Sequence, residues 1–292
     1  MQDVLALLKN VPMARDLDGR VWHMPIEGQH VFISGRTGAG KNSFTWTLVL
    51  RLAPARQAGL VKFWGLDPKR LELAIGRGWW DYYADTDEAM VLLLEQCVDE
   101  MHGRMAALQG VRRSFQPSPA EPLNVIIIDE LGYLAAYMPD KRLRERADKA
   151  VRTILSQGRA SGYACVAAVQ DPRVETCGYR NMFPLRIAGG LNEAKQVDMV
   201  LGEGMHDAGA YAEQIPIGRA AAGTAYVLDV ENSMKPRLVR APYPSDETIK
   251  AVLARYAAPA IANGVAAVKD EDVSGQLGWN GQPLGQLHYR VE

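Results

Sequence analysis

Residues 30–44 read HVFISGRTGAGKNSF: a short apolar run ending at Ser34, a loop carrying Gly35, Gly38 and Gly40, and Lys41 opening a helical stretch. Such a stretch leaves few folds open. Glycines between a strand and a helix let backbone N–H groups converge on a phosphate, and the helix adds its positive N-terminal end. The pattern G-x-x-x-x-G-K-[ST] holds from Gly35 through Arg36, Thr37, Gly38, Ala39 and Gly40 to Lys41, then breaks. Asn42 stands where a hydroxyl is expected, and Ser43 comes one residue late.

The rest of the chain fits that frame. Besides HVFIS (30–34), the runs LVKFWGL (60–66), NVIIIDE (124–130), ACVAAVQ (164–170) and LRIAGG (185–190) have the length and composition of buried strands. Longer amphipathic stretches separate them. Met90, Leu93, Leu94, Cys97, Met101, Met105 and Leu108 recur at spacings of three and four as one helix face, with Thr86 as its N-cap. KRLRERADKAVRTILSQG (141–158) reads as a basic amphipathic helix, and 111–123 as a Pro/Ser-rich surface connection. The expected fold class is α/β, a mainly parallel central sheet flanked by helices. The expected organisation is an N-terminal segment 1–20, a main domain 21–240, a C-terminal helix 241–262 and a tail or docking segment 263–292.

At 292 residues and 48% hydrophobic, the chain can bury a full core. No apolar run approaches the roughly 20 residues that span a bilayer, and no secretory leader is visible, so a cytoplasmic, soluble chain is expected. Cys97, Cys165 and Cys177 are widely spaced without C-x-x-C and read as buried thiols. Net charge is −1, so a polyanion would have to be met by a local basic surface.

Two further strand ends carry chemistry. In VIIIDE the apolar strand stops at Asp129 and Glu130, where a carboxylate faces the ligand edge. Asp129 would hold the shell of a Mg²⁺ ion, together with Asn42, whose carbonyl is a hard neutral ligand. Glu130 would orient or deprotonate water. Gln170 ends the next strand and could sense a γ-phosphate or serve merely as a turn residue. ATP with Mg²⁺ is the expected cofactor.

GRTGAGK, GLDPKRLEL (65–73), VIIIDELGYL and GRASGYACVAAVQDP (158–172), in this order, resemble the motor domain of the FtsK/SpoIIIE DNA translocases, and most closely their actinobacterial plasmid-transfer branch. The resemblance runs from about residue 20 to about residue 230. It implies a RecA-like P-loop NTPase, an ATP-driven motor on double-stranded DNA for conjugative transfer or chromosome segregation, and a homo-oligomer, typically a hexameric ring. It implies recruitment to the membrane through a membrane-anchoring partner protein. It gives Asp67 and Lys69 a place beside the nucleotide. It also implies an arginine supplied in trans, for which Arg159 and Arg186 are both candidates, each with a helix-end or surface role as the alternative. Lys141, Arg142 and Arg144, then Arg112 and Arg113, are the candidate DNA contacts; a solvated helix face is the other reading. Two further functions stay open: a type VII-like protein-secretion ATPase, and a non-hydrolysing nucleotide-binding subunit, which Asn42 favours.

Overall fold

The computed structural model describes residues 2–113, 115–173 and 175–257, with the backbone alone at 175–177. The expected tail, 263–292, and the side chain of Cys177 lie outside them. All five strands foreseen from apolar runs are present: β3 (Val31–Ser34), β4 (Val61–Leu66), β6 (Leu123–Ile128), β7 (Tyr163–Val169) and β8 (Leu185–Ala188). They join β1 (Val11–Asp16), β2 (Val21–Met24), β5 (Tyr82–Ala84), β9 (Thr224–Asp229) and β10 (Ser233–Arg240) in one 10-stranded sheet of order β2-β1-β10-β9-β8-β3-β7-β6-β4-β5. From β5 to β8 the neighbours are parallel; from β8 to β2 they are antiparallel. The antiparallel wing escaped the apolar-run criterion because its strands carry Pro12, Pro236 and several charged residues, with the register shifting at Pro12/Ala14 and Ser233/Arg237.

Because β1 pairs with both β2 and β10, the expected boundary between residues 20 and 21 falls inside a β-hairpin of the sheet. Among the described residues, six α-helices flank the sheet: α1 (Gln2–Lys9), α2 (Lys41–Gln57), α3 (Asp87–Leu108), α4 (Lys141–Ser161), α5 (Ala194–Leu201) and α6 (Asp246–Arg255). Strand side chains alternate between two cores, as a sheet covered on both faces requires. Val31 and Ile33 point into the core that holds α2 residues such as Trp46 and Leu50; Phe32 points into the one holding Met90 of α3 and Ile154 of α4.

α3 starts at Thr86, whose hydroxyl accepts from the Ala89 N–H at 3.4 Å. Met105, expected on its buried face, is exposed, although Leu108 in the last turn is buried. α4 starts at Asp140, which accepts from the N–H groups of Arg142 and Leu143 at 2.7 and 3.2 Å, and ends at Gly162 with φ +78°.

Candidate nucleotide-binding site

The glycine loop follows β3 in the middle of the parallel half. Gly35 donates to the Val169 carbonyl of β7 at 3.2 Å, and Arg36 donates to that of Gly190 beyond β8 at 2.9 Å, so both neighbouring strands fix the loop's entry. Gly38 and Gly40 have φ of +81° and +85°, a region glycine enters without the clash of a Cβ. At Gly40 a Cβ would also lie 2.1 Å from the Gly223 nitrogen, because the start of β9 packs on the loop. There the Gly223 N–H donates to the Ala39 carbonyl at 3.1 Å. No side chain caps the start of α2, where residues 40–43 line the cavity in front of the loop.

That cavity, of about 780 Å³, is lined by loop residues 36–38 and 40–43 together with Lys69, Asp129, Gln170 and Arg219. Of the strand-end residues named from sequence, Asp129 and Gln170 line the cavity with the glycine loop. The Lys41 ammonium donates to the Gly35 carbonyl at 2.6 Å. Burial is the main reason its pKa falls to about 8; Lys69 adds to the fall, while Glu130 and Asp129 oppose it. Burial likewise pushes Asp129 up to about 7, helped by the carboxylates of Asp67, Glu72 and Glu130 and opposed by Lys69. Its Oδ2 is buried without a hydrogen-bond partner, as is the Ser43 hydroxyl. Ser43 lines the cavity as Asn42 does, despite its turn of about 100° along the helix. Two orphaned buried oxygens beside a phosphate loop suit a hard cation. Among the described residues no group of three or more His, Cys, Asp or Glu could hold a metal alone, so a cation here would depend on ligand phosphates and water.

Glu130 is buried, and both its oxygens are engaged. Oε2 pairs with the Lys69 ammonium at 3.3 Å; Oε1 accepts from the N–H groups of Gly132 and Gln170 at 3.3 Å each. The Gln170 side chain itself is exposed. Asp67 has a different task from Lys69. Its Oδ2 accepts from the Leu73 and Ala74 N–H groups at 3.0 Å each and from the Tyr83 hydroxyl at 3.2 Å, which closes the turn that presents Lys69.

The two candidate trans arginines stand elsewhere. Arg186 is 6% exposed on β8 and donates to the Phe183 and Leu201 carbonyls at 2.9 and 2.8 Å, so it cannot reach a neighbouring subunit. Arg159, near the end of α4, donates to the Gly28 carbonyl and pairs with Glu231 at 2.7 Å. It lies at the edge of the sheet opposite the glycine loop and is tied to its own chain. Sequence reading missed Arg219. It is an exposed side chain lining the cavity, making no hydrogen bond or ion pair with another described residue. The signal available was its glycine-bounded setting, Gly218–Gly223, just before β9.

The basic residues do not form one patch. Lys141 and Arg142 are exposed at the start of α4, on the loop's edge of the sheet; Lys141 stands 3.7 Å from Glu145. Arg144 is half-buried and donates to the Met138 carbonyl at 2.7 Å, closing the turn before the helix. Arg112 and Arg113 follow α3 at the opposite edge, with Arg112 ion-paired to Glu121.

Residues 6–114 match the model of the FtsK/SpoIIIE family. The DNA translocase FtsK of Mycobacterium tuberculosis (strain CDC 1551 / Oshkosh) is 27% identical over 82% of this chain and 30% of its own length. Protein Tra of Streptomyces lividans is 24% identical over 65% of this chain and 32% of its own. The chain thus spans about a third of these relatives. Among solved structures, the pCW3 conjugation coupling protein TcpA with ATPγS matches with a TM-score of 0.69 at 19% identity, over 85% of this chain and 70% of that one. The cytoplasmic domain of the Thermomonospora curvata type VII secretion ATPase EccC matches with a TM-score of 0.69 at 21% identity, over 90% and 32%. The chain is thus similar to the FtsK/SpoIIIE family over residues 6–114, and its sheet shares the fold of the solved structures it matches.

Proposed function

We propose that this chain is an ATP-hydrolysing motor that moves double-stranded DNA, in conjugative transfer or chromosome segregation, as a homo-oligomeric and typically hexameric ring. The observation that carries the reading is that Lys41, Lys69 and Asp129 line one cavity with the glycine loop, with Glu130 paired to Lys69. The nature of the load rests on the relatives, because the fold matches a conjugation coupling protein and a type VII secretion ATPase with the same TM-score. A Mg²⁺ ion, when bound with ATP, would neutralise phosphate charge.

The loop N–H groups and Lys41 bind and orient the phosphates. Asp129 and Asn42 are the residues that would hold the cation, with Ser43 close by. Glu130 orients the attacking water and takes its proton, once Lys69 leaves it for the phosphates. Arg219 is placed to meet the terminal phosphate from its own subunit. Lys141 and Arg142 are the preferred DNA contacts, through phosphate neutralisation. Recruitment to a membrane through an anchoring partner belongs to the same reading; no helix among the described residues is long and apolar enough to cross a membrane.

The test is ATP hydrolysis with and without linear duplex DNA. Strong stimulation by duplex is expected. Turnover indifferent to DNA would favour a protein-secretion motor, and no turnover at any Mg²⁺ concentration would leave a nucleotide-binding subunit.

A further inference from the structure

The cavity in front of the glycine loop has two halves. One holds the loop, Lys41, Lys69 and Asp129; the other, past Trp46, carries the apolar side chains of Leu71, Ile75, Tyr243, Pro244 and Ile249 together with the charged ones of Glu72, Asp246 and Lys250. Its walls come from two places. Asp67 fixes the turn that carries Leu71, and α6, following Tyr243, packs on residues 74–76, where a Cβ on Gly76 would lie 3.0 Å from Leu253. Leu71 and Tyr243 are 75% and 46% exposed. Both face the same cavity.

The spacing between the halves follows from the backbone. Trp46 stands five residues beyond Lys41 on α2, a rise of about 7.5 Å. On the opposite wall a hydrogen-bond relay runs from the Ala39 carbonyl through Gly223 to the Ala241 N–H at 2.9 Å. Tyr243 is two residues further, within about 7 Å of extended chain. We propose that this second compartment takes the base and ribose of the nucleotide, with the base stacked on the Tyr243 ring and covered by Leu71.

This inference rests on the nucleotide-site reading above, and the experiment separates the two. Calorimetric titration of ADP, and of inorganic tripolyphosphate as a ligand without a base, is run on the wild type, Tyr243→Ala, Tyr243→Phe and Leu71→Ser. The Kd for ADP should rise about tenfold in Tyr243→Ala, the scale of losing one aromatic–base stack, and stay within about twofold in Tyr243→Phe. Tripolyphosphate should bind all four proteins alike. Unchanged ADP affinity in Tyr243→Ala would overturn the proposal, as would equal weakening of both ligands, which would mark a distorted loop. A variant that changes only self-association would assign Tyr243 to contact with a second copy of the chain and overturn it too. A wild type that binds neither ligand removes the nucleotide site itself, and the base platform with it.

Discussion

Acid should destabilise this protein through His30, a residue with no part in the proposed chemistry. The side chain is fully buried just before β3, and its Nδ1 accepts the Cys165 N–H at 3.0 Å. A ring that accepts at Nδ1 carries its proton on Nε2, and a second proton would have to displace that bond. Burial, with Arg159 nearby, lowers the pKa from 6.5 to about 3. The unfolded chain therefore takes up a proton near pH 6.5 that the folded chain refuses. Stability contributed by the neutral ring is present above pH 6.5 and is lost as pH falls toward 3. At pH 4.5, two units below the unfolded value, the loss is roughly 3 kcal/mol at about 1.4 kcal/mol per unit. That figure holds as long as the folded pKa stays below about 4. His30→Asn supplies the check, because its carbonyl can accept the same N–H and does not titrate. It has a packing cost, but one independent of pH. Urea unfolding followed by tryptophan fluorescence at pH 7.5 and 4.5 should show the wild type losing about 3 kcal/mol more than the variant between the two conditions. Equal losses would refute the reasoning, since every other titrating group is common to both proteins.

Glu130→Gln should still bind ATP but hydrolyse it at least about a hundredfold more slowly, measured by phosphate release alongside nucleotide affinity. Asn42→Ser should lower the Mg²⁺ concentration needed for half-maximal hydrolysis while leaving the maximal rate within about an order of magnitude; restoration of turnover from zero would instead make the wild type a nucleotide-trapping form. Arg186→Met should reduce stability by about 1–3 kcal/mol in denaturant titration, because two buried carbonyls lose a charged donor. Mixing Lys41→Ala with Arg159→Ala should not rescue hydrolysis, since Arg159 is bound within its own chain; partial recovery would return it to the role of a trans arginine.

The parallel core was legible because its signals are local. A buried strand is a continuous apolar run, and a phosphate loop has glycines at positions where φ must be positive. The carboxylates that end β6 follow directly on their strand. Thr86 was readable as a cap for the same reason: Ncap chemistry involves residues three apart. The antiparallel wing was not legible, because its strands carry prolines and charged residues and, beyond their hairpin partners β2 and β9, β1 and β10 pair with each other across more than 200 residues of sequence. Nor could sequence distinguish one arginine from another. Arg159, Arg186 and Arg219 each occupy a plausible local motif, and only the packed chain separates the one held at the opposite edge and the one buried on β8 from the one lining the cavity. Tyr243 belongs with them, since it reaches the site through the pairing of Gly223 with Ala39 and Ala241. Sequence by itself determined which groups can do phosphate chemistry, a matter of residue type and short spacing. Tertiary structure decided which of the remaining cations and aromatics reach that site, because their distance from it is set by sheet order and not by position along the chain.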